Sequence, residues 1–161
     1  MRIRTTLTLT LGLFLVTAAV PAQTPDHEAV RAVVDSALAT ISRSDFVALT
    51  DLMLDEAVVV ATSVRDGVPS VRVRTRAQER ATASTSRLTE RGWDPIVQLQ
   101  AGVAIVWLPY DFYIDDAWSH CGIDTFTLVK QGDRWWIAAL AYTVEQPPAC
   151  ARHPAGPPPQ E

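Results

Sequence analysis

The amino-acid sequence predicts an α+β domain: a cone-shaped, strongly curved antiparallel sheet of about six strands, with three helices from the N-terminal half enclosing a pocket. Three observations carry this reading. Apolar residues recur at helical spacing from Val30 to Met53, and β-branched residues then crowd the stretch from Ala57 to Ser63. From Trp93 to Val144, four strand-like segments are separated only by short polar or glycine-containing links, as in a meander.

In chain order, Thr24, Pro25 and Asp26 supply a hydroxyl cap, a proline at the first helical position and an acid against the helix dipole. The first helix then presents Val30, Val33, Val34, Ala37, Leu38 and Ile41 on one face. Ser44 is positioned to cap a shorter helix carrying Phe46, Leu49, Leu52 and Met53. Arg65-Asp66-Gly67 reads as the turn of a hairpin between Ala57–Ser63 and the stretch holding Val71 and Val73. Thr75 and Gln78 fit a capping box, so residues 76–83 are expected to form a third helix, followed by an irregular Ser/Thr-rich stretch up to Arg91. The four meander strands are 96–100, 103–113, 117–130 and 135–144.

The ends of the chain bear on where the protein works. Arg2 and Arg4, an apolar run through Leu11, Leu13 and Phe14, and the small residues before Gln23 read as a signal peptide over 1–22, cleaved after Ala22. The expected product is exported, periplasmic or secreted, without a membrane attachment, with one domain over 23–146. A proline-rich tail, 147–161, is expected to be disordered beyond Cys150. The chain holds 14 Lys+Arg against 18 Asp+Glu, and because the leader carries two arginines and no acid, the mature charge is about −6. An acidic protein of this kind is a poor fit to nucleic acid. In an oxidising compartment the two cysteines, Cys121 and Cys150, read as a disulfide, since antiparallel neighbours return the end of the last strand to the start of the one before it.

Four segments, Trp107 to Tyr113 (WLPYDFY), Ser119 to Phe126 (SHCGIDTF), Gly132 to Ile137 (GDRWWI) and Ala141 to Val144 (AYTV), resemble exported bacterial members of the nuclear transport factor 2-like superfamily, the SnoaL and ketosteroid isomerase type. The resemblance spans residues 26 to 145 and includes the order of elements. It implies the cone fold and its pocket. Members of that superfamily include isomerases, dehydratases, cyclases and epoxide hydrolases beside non-catalytic binders, and none of those catalytic sets maps onto this chain.

Strict alternation along 117–130 places Trp118, His120, Gly122, Asp124, Phe126 and Leu128 on one face. His120 and Asp124 then lie roughly 13 Å apart at Cα, so they could act together only across a ligand or a water. Asp124 in apolar company is the candidate general base and His120 its partner. Tyr110, Tyr113, Trp118, Phe126 and Tyr142 are the candidate ligand-binding residues, Tyr142 sharing its face with Trp136, Ala138 and Leu140. Arg72, Arg74, Arg76 and Arg80 read as a solvated basic face. Three histidines without ligand spacing give no metal site, and no cofactor motif is present. The function expected is binding of a small organic molecule in the cone. The alternatives are a cofactor-free acid/base enzyme and a structural module that forms a homodimer through its sheet.

Overall fold

The computed structural model describes residues 25–159; the signal peptide expected over 1–22 lies outside them. Helix α1 (Pro25–Ser42) buries Val30, Val34, Ala37, Leu38 and Ile41, the stripe expected from the spacing. It ends where Ser44 takes a positive φ of 56°. Asp45 rather than Ser44 therefore caps α2 (Phe46–Thr50), its carboxylate accepting from Ala48 N at 2.9 Å.

Strands β1 (Met53–Arg65) and β2 (Val68–Thr75) form the hairpin. Its turn is Asp66-Gly67, with φ of 51° and 77°, the twist that lets a two-residue link join right-twisted strands. Thr75 and Gln78 close the expected capping box at the start of α3, which runs only over Arg76–Arg80. Within the stretch expected to be irregular lies β3 (Leu88–Gly92). The meander follows as β4 (Ile96–Gln100), β5 (Val103–Ile114), β6 (Ala117–Gln131) and β7 (Arg134–Val144).

The described strands form one seven-stranded sheet in the order β2-β1-β7-β6-β5-β3, with β4 paired to the other half of β5. All neighbours are antiparallel except β1 and β7, which run parallel. The helices cover one face. Between them and the sheet lies a core that includes Leu38, Leu49, Met53, Val59, Val106, Leu108, Phe126, Leu128, Trp135 and Ile137.

One departure from strict alternation matters for the site. In β7 the register against β6 skips Ala138, since Thr127 faces Ala139 while Leu128 faces Ile137. This bulge changes the phase of the strand. Trp135 and Ile137 face the core before it, and Leu140 faces the core after it. Trp136, expected on the face of Tyr142, instead lies under the Arg134 guanidinium at 3.7 Å.

The tail also differs from the expectation of disorder beyond Cys150. Cys121 and Cys150 form the disulfide, with Cα atoms 5.9 Å apart, and Cys121 exchanges both backbone hydrogen bonds with Glu145. Past the bridge, Arg152 stacks over Trp118 at 4.0 Å and His153 meets Trp93 edge to face. His153 N donates to the buried Asp111 at 2.9 Å, and Arg91 grips the same carboxylate through two bonds of 3.0 and 2.6 Å. Replacing both cysteines with serine should lower stability by about 3 kcal/mol. Chemical denaturation of the oxidised protein and the double variant checks this; equal midpoints would show that the bridge constrains nothing.

Candidate functional site

Cross-strand register decides which side chains meet. One row across the inner face of the sheet runs Glu90, Phe112, His120 over β3, β5 and β6. The next runs Gly92, Tyr110, Gly122. A third runs Leu108, Asp124, Tyr142, Ala61, Arg72 over five strands, and a fourth runs Val106, Phe126, Leu140, Val59, Arg74. These rows line a pocket of about 210 Å³, closed from the helix side by Ile41, Phe46 and Glu79. The middle row requires its glycines: a Cβ at Gly92 would run into Leu108 and Leu38, and one at Gly122 would overlap the Thr143 carbonyl.

Of the residues singled out in the sequence, His120, Asp124, Tyr110 and Tyr142 line this pocket. The other candidates do not. Phe126 is fully buried in the core beneath the pocket. Tyr113 is odd-numbered where Tyr110 is even, so it points the opposite way, with its ring under the Arg91 guanidinium at 5.4 Å. Trp118 is expected on the face of His120, but the register against β5 skips Ser119, so Trp118 lies opposite Tyr113 on the other face and carries the tail through Arg152.

Two residues not proposed from the sequence complete the site. Glu90 comes from β3, the strand hidden in polar sequence, and it shares a side-chain hydrogen bond with Asp124. Among the described residues no N–H or O–H reaches Asp124 Oδ2, and two facing carboxyls in that setting favour holding a proton between them over ionising together. Burial raises the pKa of both groups, and the hydrogen bond lowers that of Glu90 while raising that of Asp124. Both carboxyls are therefore held above the usual carboxylate range, Glu90 pushed up to about 7, and the pair retains a proton where isolated carboxyls would have lost theirs. The second addition is Glu79, buried on α3 and bound to Arg74 Nε at 2.5 Å.

The phenols divide their work. The Tyr110 hydroxyl donates to Thr143 O at 2.7 Å, and burial beside Asp124 and Glu90 holds its pKa far above the ordinary value, so it contributes only its ring to the pocket. The Tyr142 hydroxyl accepts from Arg74 at 3.3 Å and keeps its own proton to donate. His120 stacks on Phe112 with centroids 4.6 Å apart, and Ser119 Oγ lies 3.0 Å from its Nδ1. Burial lowers its pKa, which favours the neutral imidazole. The basic face also resolves differently: Arg76 binds Asp55 and Arg80 binds Asp51, while Arg72 and Arg74 turn to the pocket. Among the described residues no cluster of His, Cys, Asp or Glu could hold a metal ion, and no helix is long and apolar enough to cross a membrane.

The arrangement is that of the cone-shaped NTF2-like fold, and solved structures bear this out. An NTF2-like protein from Cytophaga hutchinsonii superposes with a TM-score of 0.61 at 14% identity, covering 75% of this chain and 99% of that one. A candidate dehydratase of the NTF2-like family from Streptomyces avermitilis gives 0.58 at 18% identity, covering 75% and 98%. A candidate calcium/calmodulin-dependent protein kinase II association domain from Xanthomonas campestris gives 0.59 at 20% identity, covering 86% and 99%. At these identities the fold is what is shared. No protein-family model and no curated protein matches the chain.

The carboxyl pair makes stability depend on pH with a definite sign. An acid whose pKa is higher in the folded state binds its proton more tightly there, so stability falls as pH rises from the unfolded value near 4.5 to about 7. Melting temperature measured across that window should fall, by the equivalent of roughly 2–3 kcal/mol. In Glu90→Gln/Asp124→Asn that fall should be largely gone; a slope unchanged in the double variant would remove the shared proton from the account.

Proposed function

We propose that this protein is exported and binds a small organic molecule in the cone pocket, with the Asp124–Glu90 pair as the polar end of the site. The observation that carries the reading is the pair of carboxyls, Glu90 and Asp124, that meet in a cavity walled by Tyr110, Phe112 and Leu140. Such a pair offers both a donor and an acceptor to a ligand oxygen, Tyr142 adds a second donor, and the aromatic walls remove the ligand from water. The volume suits a compound smaller than those that fill typical drug-sized pockets of about 300 Å³ and above. The disulfide supports an oxidising compartment.

The same pair supports a second reading, a cofactor-free acid/base enzyme. Glu90, with a pKa near 7, is poised to take a proton from carbon beside a carbonyl, while Asp124 or Tyr142 donates to the carbonyl oxygen as it gains charge. Acetophenone tests both readings. Saturable NMR shifts at Tyr110, His120 and Tyr142 are expected on binding. Enzyme-dependent exchange of its methyl protons in D2O would select the enzyme, and Glu90→Gln should then cut exchange about 100-fold or more while the shifts remain. Binding without exchange selects the binder, and shifts scattered over the surface would defeat both.

The homodimer rests on the other face of the sheet. Ile96 lies opposite Trp107 in the β4–β5 ladder, and with Val103 and Ile105 they form an exposed apolar strip, Trp107 being 49% exposed. Light scattering should return twice the chain mass for the mature protein and a monomer for Trp107→Glu; a monomer at all concentrations in the unmodified protein overturns the pairing.

A further inference from the structure

The pocket does not end at its own rim. His120, Tyr142 and Arg72 also line a second, larger cavity of about 540 Å³ that continues outward between the β1–β2 hairpin and the start of β6. Its floor is set by register. On one face of the hairpin, Ala61 opposes Arg72, Ser63 opposes Ser70 and Arg65 opposes Val68, so arginines and hydroxyls ascend from the pocket mouth to the hairpin turn. Ser119 and Gln146 line the far side.

Charge separates the two cavities sharply. The inner one holds Glu79, Glu90 and Asp124. None of the described residues lining the outer one is acidic, although the chain as a whole is acidic. Arg74 is neutralised by Glu79. None of the described residues pairs with the guanidinium of Arg65 or of Arg72, whereas Arg76, Arg80, Arg87 and Arg91 nearby in sequence all have carboxylate partners. Two unpaired guanidinium groups and a pair of facing serines, in a cavity without a carboxylate, match what a carboxylate or sulfonate needs: charge-assisted N–H donors and hydroxyl donors. The inner cavity disfavours the same group, because its acidic residues Glu90 and Asp124 face one another there and its Arg74 is already taken by Glu79.

We propose that the outer cavity is an anion subsite and that the ligand is an amphipathic organic anion, its apolar end in the inner pocket and its anionic group between Arg65 and Arg72. This rests on the reading of the inner pocket as a ligand site and adds the substrate class and its orientation. Acid inside and base outside admit the ligand in one direction only, which delivers its uncharged end to Asp124 and Glu90.

The test compares 4-phenylbutyrate with 4-phenylbutan-1-ol, which share a phenyl ring and chain and differ in the terminal charge, by NMR titration at low ionic strength. The acid should bind about tenfold more tightly than the alcohol, and the advantage should shrink with added salt. In Arg65→Gln/Arg72→Gln the ratio should fall to about one, and in Arg65→Lys/Arg72→Lys most of it should return, because a cation is restored without the planar fork. Equal binding of acid and alcohol to the unmodified protein overturns the anion subsite and leaves the inner pocket standing. An acid preference that survives the double glutamine substitution puts the anion elsewhere and also overturns it. Failure of both compounds to shift Tyr110, Phe112 or Leu140 overturns the inner pocket together with the subsite.

Discussion

The pairing of β5 with β6, unbroken from Val103 opposite Val129 to Phe112 opposite His120, is the constraint from which the rest of the site follows. Because side chains alternate, fixing this register decides at once that Leu108, Tyr110, Phe112, His120, Gly122 and Asp124 look toward the helices. The strands on either side inherit the same rows: β3 adds Glu90 beside Phe112, and β7 adds Tyr142 beside Asp124. A slip of one residue would turn every one of these groups outward and bring the apolar outer strip of Ile105 and Trp107 inward. The pocket is therefore specified by backbone hydrogen bonding, with its polar side chains carried along as a consequence.

Placing carboxyls on that inner face has an energetic cost that the surroundings only partly offset. Asp124 is 1% exposed, and a buried carboxylate without a donor costs several kcal/mol, so the pair it forms with Glu90 retains a proton. Glu79 takes the other route and is offset by Arg74, which also reaches Tyr142. The two solutions stand side by side in one pocket. One keeps a proton on the carboxyl pair and the other holds the Tyr142 phenol in place through Arg74. The outer cavity, lined by hydroxyls and arginines and by no carboxylate among the described residues, carries no such cost.

The C-terminal segment makes the outer face of the sheet more than a wall. Asp111 is fully buried even though it points away from the core, because Arg91, Tyr113 and the chain around His153 cover it. The disulfide delivers that chain to the right place, and Trp93 and Trp118 give it surfaces to rest on. This cover lies on the back of the same rows that build the pocket. It holds β3 against β5 through the Arg91–Asp111 pair, and so steadies the strand that contributes Glu90.

What the sequence by itself determined is the part governed by local chemistry. The helical stripe of α1, the capping box of α3, the Asp-Gly turn, the boundaries of β4 to within a residue and the pairing of the cysteines all depend on groups close together in the chain or on one short antiparallel return. His120, Asp124, Tyr110 and Tyr142 could be placed at the pocket for the same reason. What only the tertiary structure decided depends on partners distant in sequence. Leu88–Gly92 has no pattern of its own and becomes a strand because β5 offers an unpaired edge, so Glu90 was invisible as a site residue. The parallel contact of β1 with β7 and the bulge at Ala138 are set by how the cone closes, and they give Leu140 and Tyr142 the phase that faces the cavity. The roles of Asp124 and Glu90 follow last of all. Which of two facing carboxyls keeps the proton depends on burial and on their mutual hydrogen bond, and neither exists until strands β3 and β6 are brought to the two sides of β5.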